Sequence, residues 1–198
     1  MDDLHVLLTN DDGIDAPGLA SLNERLSDRW DVTVVAPMED RSGTGLTMNT
    51  DIRVDEHEFG YALDGTPADC VEVALGGLDV EPDIVVSGCN PGPNIGVHTL
   101  GRSGTVGAAI EAGFAGTPAV AVSLYDPDRP ILFPQDEIPL EAYAEAVDVT
   151  EFLVERTMAS GAFESADYLN VTVPIRSTNT GHAPMRVTRP SESFQIYT

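Results

Sequence analysis

Two adjacent carboxylates, Asp11 and Asp12, end an apolar run in the stretch Leu7-Leu8-Thr9-Asn10-Asp11-Asp12-Gly13, and Asp15 follows closely. Neighbouring carboxylates repel unless a cation or a proton comes between them. At a strand tip in an open α/β sheet, where ligands collect, the content this pair implies is a divalent metal. The same letters also spell a turn, since asparagine, aspartate and glycine all suit one. Their company elsewhere in the chain favours a site.

Three further loops carry suitable groups. Glu39-Asp40-Arg41-Ser42-Gly43-Thr44-Gly45 offers the Ser42 hydroxyl. Ser87-Gly88-Cys89-Asn90-Pro91-Gly92-Pro93-Asn94 presents two amides in a backbone constrained by glycine and proline, with Asn90 as a neutral oxygen ligand and Asn94 as a donor. Arg102-Ser103-Gly104-Thr105 opens a helix, and exposed amides at a helix start form a phosphate cradle. Two carboxylates, a hydroxyl and an amide carbonyl make an all-oxygen set suited to magnesium or manganese rather than zinc. A hard cation beside a helix N-terminus suits a phosphate monoester, because it polarises the phosphoryl oxygens while fixed donors hold the charge that develops on them. Asp11, Asp12 and Asn90 are the expected catalytic residues, and Asn10, Asn94, Ser103, Gly104 and Thr105 the expected phosphate contacts. Water activated beside the cation is the favoured nucleophile, with attack by Asp11 as the other route.

The elements that must position these groups alternate in type. Residues 5–9 read as a strand, 19–26 as an amphipathic helix and 32–36 as a strand closed by Pro37. Short β-like runs follow at 52–54 and 61–63. Thr66-Pro67-Ala68-Asp69 is a helix start, with Thr66 as N-cap and Pro67 at the first helical position, and that helix should run to about residue 75. Residues 82–87 and 118–123 are core strands flanking a helix over 106–114. Residues 125–139 form a proline- and aspartate-rich excursion, 140–158 a helix with Tyr143, Val147, Val154 and Met158 on its core face, and 168–173 a last strand. This alternation predicts an α/β, Rossmann-like fold, a mostly parallel sheet with helices on both faces and the site at the carboxyl ends of its strands. With 198 residues, the chain is expected to form one domain.

Composition narrows the partners. There are 33 acidic residues against 10 basic ones, every basic residue is arginine, and the net charge is -23. Such a surface repels nucleic-acid duplexes and anionic membranes, and it suits concentrated salt, where self-repulsion is screened. The expectation is a salt-adapted cytoplasmic protein, since the amino terminus lacks signal-peptide regions and no apolar run reaches bilayer-spanning length. Cys70 and Cys89 show neither metal-ligand nor disulfide spacing, so both are expected to be small buried apolar residues. Of the four histidines, His98 alone lies near a motif.

Thr9-Asn10-Asp11-Asp12-Gly13-Ile14, Val35-Ala36-Pro37, Arg41-Ser42, Gly65-Thr66-Pro67-Ala68-Asp69-Cys70, Ser87-Gly88-Cys89-Asn90, Gly92-Pro93-Asn94 and Ser103-Gly104-Thr105-Val106 keep one order over residues 4–125. In these motifs the chain resembles the SurE family of metal-dependent nucleotidases. The resemblance implies hydrolysis of nucleoside monophosphates, at 5' and 3' positions, and of short polyphosphate. It implies Asp11, Asp12, Ser42 and Asn90 as the metal ligands, and a homo-oligomer. Two departures stand out: the chain is short at its carboxyl end for this family, and Gly101-Arg102 occupies a place where an aromatic residue or histidine is common. A receiver-like phospho-acceptor or metal-binding domain is the alternative, but receivers need a lysine and the chain has none. A haloacid-dehalogenase motif needs its two aspartates separated by one intervening residue and followed by Thr or Val, which Asp11-Asp12-Gly13-Ile14 does not provide.

Overall fold

The computed structural model describes residues 4–126, 138–175 and 184–192. Residues 1–3, His182 and most of the expected excursion at 125–139 lie outside the described residues. Seven strands form a single sheet in the order β3-β4-β2-β1-β5-β6-β7. They are β1 (His5–Thr9), β2 (Asp31–Pro37), β3 (Val54–His57), β4 (Gly60–Leu63), β5 (Ile84–Asn90), β6 (Ala119–Tyr125) and β7 (Tyr168–Pro174). Every pairing is parallel except that of β3 with β4, a short hairpin at one edge.

The central strands read as unbroken apolar runs because both of their faces are covered. On one face Val6, Leu8, Val34, Ala36, Ile84, Val86, Val120 and Val122 pack against α1 (Pro17–Ser27) and α5 (Ala144–Ser160). On the other, Leu7, Val35, Val85, Ala119 and Ala121 meet α2 (Pro67–Gly76) and α4 (Gly104–Phe114). Strand side chains alternate between faces with period two, so consecutive residues of β1 belong to opposite layers. A four-residue helix, α3 (Val97–Leu100), leads into α4. Cys70 and Cys89 are free and buried, one in each layer. Among the described residues no helix is long and apolar enough to cross a membrane.

Among the boundaries that differ from the sequence expectation, four have a clear local reason. The edge strand falls at Val54–His57 rather than 52–54, because its register is set by antiparallel pairing with β4 and not by its own apolar residues. Strand β5 runs on to Asn90 through Gly88, although glycine and asparagine are poor strand formers, because an irregularity between Ser87 and Asn90 lets Asn90 pair with Ser123. Helix α4 starts at Gly104 instead of residue 106, since Ser103 caps it. Residues 140–143 form a 3-10 turn before α5 begins, and Tyr143, only 1% exposed, anchors that turn in the core.

Candidate active site

The chain leaves β1 toward β2 on one side and later returns to pair β5 on the other, so the loops after β1 and β5 diverge above the middle of the sheet. This is the switch point at which open α/β sheets hold ligands. Asp11 and Asp12 lie on one lip and Asn90 on the other.

Asp11 is 3% exposed, and its Oδ1 accepts a hydrogen bond of 2.8 Å from the Thr105 hydroxyl, 94 residues away. Burial raises the Asp11 carboxyl above its ordinary value, and the Thr105 hydroxyl and amide oppose that rise. Helix α4 therefore points its N-terminus at Asp11, where its dipole favours negative charge. The approach depends on Gly104: a Cβ there would lie 2.8 Å from the Asp11 Cβ and 3.2 Å from Pro67 Cγ. Burial, with Asp11 and then Asp40 beside it, pushes the Asp12 carboxyl up to about 9.

The Ser42 loop reaches the pair through its backbone. The Arg41 amide donates to the Asp11 carbonyl at 2.7 Å, and the Ile14 amide donates to the Pro37 carbonyl at 2.8 Å. Gly13, at φ +103°, turns the chain where a Cβ would press on Glu39. Ser42 is exposed, and its amide donates to Asp40 Oδ1 at 2.7 Å. The Gly45 amide donates to the Arg102 carbonyl at 3.1 Å, which docks the same loop beside α4.

The other expected site residues divide by what their polar atoms already do. Asn90 Nδ2 donates to the Gly92 carbonyl at 2.8 Å, a bond that leaves its amide oxygen as the group for a ligand. Asn10 Nδ2 is spent on the Gly13 carbonyl at 2.8 Å, while its buried Oδ1 has no partner among the described residues. Asn94 is 3% exposed, with its amide bonded to Ser123 Oγ and its carbonyl to Asn170 Nδ2, and its own Nδ2 has no partner among the described residues. The Ser103 hydroxyl accepts from the Val106 amide at 3.1 Å and so acts as the helix cap. The Thr105 side chain is committed to Asp11.

Sequence reasoning left Asp40 without a role and gave Thr105 a different one, as a phosphate contact. Asp40 adds negative charge near both aspartates, and its only signal was an acid just after β2. Thr105 acts on Asp11 across a span of chain that no local pattern reveals. His98, the histidine nearest a motif, lies in α3 with its Nδ1 3.2 Å from Arg102 Nη1.

The donor set fits a hard divalent cation. Two carboxylates whose proton affinity is raised by burial and by neighbouring negative charge, with a neutral amide oxygen from the loop after β5, favour an added positive charge. Among the described residues no group of three or more His, Cys, Asp or Glu side chains is placed to hold an ion, and the donor set at this crevice contains two such residues, Asp11 and Asp12.

An α/β sheet with paired acids at its switch point and a helix N-terminus against them belongs to the open, doubly wound class of folds that hold phosphate-bearing ligands there. The profile of one such family, described as survival protein SurE, matches residues 6–195, and the chain belongs to that family. A 5'-nucleotidase SurE from Natronomonas pharaonis is 48% identical over 193 residues, covering 98% of this chain and 75% of the relative. One from Haloarcula marismortui is 46% identical over 197 residues, 99% of this chain and 72% of the relative. The crystal structure of the SurE protein from Aquifex aeolicus superposes with a TM-score of 0.73 at 34% identity, over 87% of this chain and 66% of that one. The chain thus spans about three quarters of the haloarchaeal relatives it matches.

Proposed function

We propose that this chain is a divalent-metal-dependent phosphomonoesterase, a 5'-nucleotidase that releases phosphate from nucleoside monophosphates, with 3'-nucleotides and short polyphosphate as further substrates. The observation that carries this reading is the Asp11–Asp12 pair, buried and half-buried, at the sheet's switch point with the N-terminus of α4 against it. The names of the relatives support the same reaction.

Asp11, Asp12, Asn90 and Ser42 would hold the cation, magnesium or manganese. When bound, it supplies Lewis-acid polarisation of a phosphoryl oxygen. The Asn94 side-chain amide is a donor with no partner among the described residues, and the Gly104 backbone amide stands at the start of α4, so both suit equatorial phosphoryl oxygens, where negative charge grows in the transition state. Thr105 holds Asp11 in one orientation, and Ser103 keeps the start of α4 in place. Asn10 closes the turn that presents the aspartates. The receiver-like alternative has no observation in its favour. The protein is read as one cytoplasmic nucleotidase domain over residues 1–198 that assembles as a homo-oligomer and binds neither nucleic-acid duplexes nor membranes.

The test is phosphate release from a panel of 5'- and 3'-nucleoside monophosphates with EDTA, magnesium or manganese. Activity should require the metal and fall at least about 100-fold in Asp11→Asn and in Asp12→Asn, as loss of a charged group at a reacting centre costs several kcal/mol. Turnover that survives EDTA, or near-native rates in either variant at saturating metal, would sink the assignment. Sedimentation velocity of the same sample checks the oligomer, and a monomer at assay concentration removes that part.

A further inference from the structure

Asp69 is a carboxylate with no exposed surface, and its described hydrogen-bond partners are all uncharged. A capping box explains part of its bonding: Oδ2 accepts from the Thr66 amide at 2.7 Å, and its own amide donates to Thr66 Oγ1 at 3.2 Å. Capping alone requires one acceptor and can be done at a surface. Here the same carboxylate also reaches 20 residues back along the chain, where Oδ1 accepts from the Asn49 amide at 2.9 Å and Oδ2 from Asn49 Nδ2 at 2.6 Å. Gly65 makes room for it, since a Cβ there would lie 3.0 Å from Asp69 Oδ2.

A continuous chain of hydrogen bonds runs from this carboxylate to Asp11. Thr66 Oγ1 donates to the Thr47 carbonyl at 2.6 Å. Thr47 donates through both its amide, at 3.1 Å, and its hydroxyl, at 2.7 Å, to the Thr44 carbonyl. Thr44 does the same to the Arg41 carbonyl, at 3.3 and 2.8 Å, and the Arg41 amide donates to the Asp11 carbonyl. Ser42 sits inside the last of these turns. Midway, the Gly45 carbonyl lies where a side chain at residue 107 would be, so Gly107 lets the loop close on α4.

We propose that Asp69 and Asn49 form a clamp that sets the Ser42 loop against the carboxylate pair, which makes Asp69 a positioning residue for the site. Loop residues 40–50 have no regular secondary structure, so their conformation depends on such ties. A buried carboxylate with three uncharged donors is a strong anchor, because charge-assisted hydrogen bonds are about twice as strong as neutral ones. Releasing it would leave Ser42 free to move without touching Asp11, Asp12 or Asn90.

The inference rests on the metal-dependent reading above, and it is tested with full-length protein carrying Asp69→Asn or Asn49→Ala. The second variant removes the clamp's side-chain arm and leaves the Thr66–Asp69 cap intact, so it serves if the first does not fold. Three quantities are measured: hydrogen exchange of the Gly45, Thr47 and Asn49 amides in metal-free protein, the manganese dissociation constant by calorimetry, and kcat at saturating manganese. For Asn49→Ala the expected result is exchange and dissociation constant each raised about tenfold, the scale of one lost charge-assisted bond, with kcat within about twofold. Unchanged exchange overturns the clamp. Faster exchange with unchanged manganese affinity also overturns it, because Asp69 would then serve only helix α2. If the wild-type protein proves inactive as a nucleotidase, that reading fails on its own, while exchange and metal binding still judge the clamp.

Discussion

At the scale of single residues the acid pair governs how the protein responds to pH. A carboxyl raised from 3.8 to about 9, as burial and the Asp11 and Asp40 charges raise Asp12, keeps its proton in the metal-free folded state after the unfolded chain has released it. Between those two values the folded state binds more protons, so metal-free stability falls as pH rises from about 4 to about 9. Asp12→Asn resembles the protonated form at every pH and should lack this slope. Thermal melts of EDTA-treated wild type and variant from pH 6 to 9 check it: the variant should gain on the wild type as pH rises, and parallel curves would mean that Asp12 does not cause the slope. Manganese competes with the proton, so its stabilisation of the wild type should grow over the same range. The pair itself was legible in the sequence, because two acids after an apolar run have few explanations. The commitment of Thr105 to Asp11 was not, since residues that follow different strands meet only when the sheet order is known.

At the scale of elements, α4 links fold to chemistry through its cap and its first residue, which do different jobs. Ser103 supplies a cap, and Ser103→Ala should cost about 1 kcal/mol of stability with a modest effect on turnover. Gly104 supplies space, and even Gly104→Ala drives a methyl to 2.8 Å from the Asp11 Cβ, a backbone-anchored atom that cannot swing aside. Steady-state assays should therefore show Gly104→Ala losing at least about tenfold in kcat/KM, since small displacements at a reacting centre are costly, and Gly104→Val more. Equal, small losses in Ser103→Ala and Gly104→Ala would separate α4 from the site. The sequence pattern found the strands with both faces buried, β1, β2, β5 and β6, because continuous apolar runs between turn signals suit little else. It misplaced β3, whose residues are mostly exposed and whose position comes from its partner, and it stopped β5 short, where Gly88 and Asn90 hide a strand held by pairing with β6.

At the scale of the whole molecule, charge is the dominant variable, and its effect on stability has two opposed parts. Arg25 on α1 and Arg29 just beyond its end bridge to Asp148, Glu151 and Glu155 on α5, and salt weakens exposed pairs of this kind. Against them stands the mutual repulsion of a net charge of -23. It acts over about 30 Å near 0.01 M salt and about 3 Å near 1 M, so screening relieves many interactions while it weakens a few. The thermal midpoint should therefore climb as potassium chloride rises from about 0.01 to about 3 M, most steeply at the low end, where the screening length changes fastest. Millimolar manganese should raise the midpoint as well, but through the site. The two contributions separate in the Asp11→Asn, Asp12→Asn double variant, which should lose most of the manganese response and keep the salt response. A wild-type midpoint that stays flat in potassium chloride would mean that the acidic surface is not what sets stability. A double variant that still responds fully to manganese would place the bound ion on the general acidic surface instead of at the switch point.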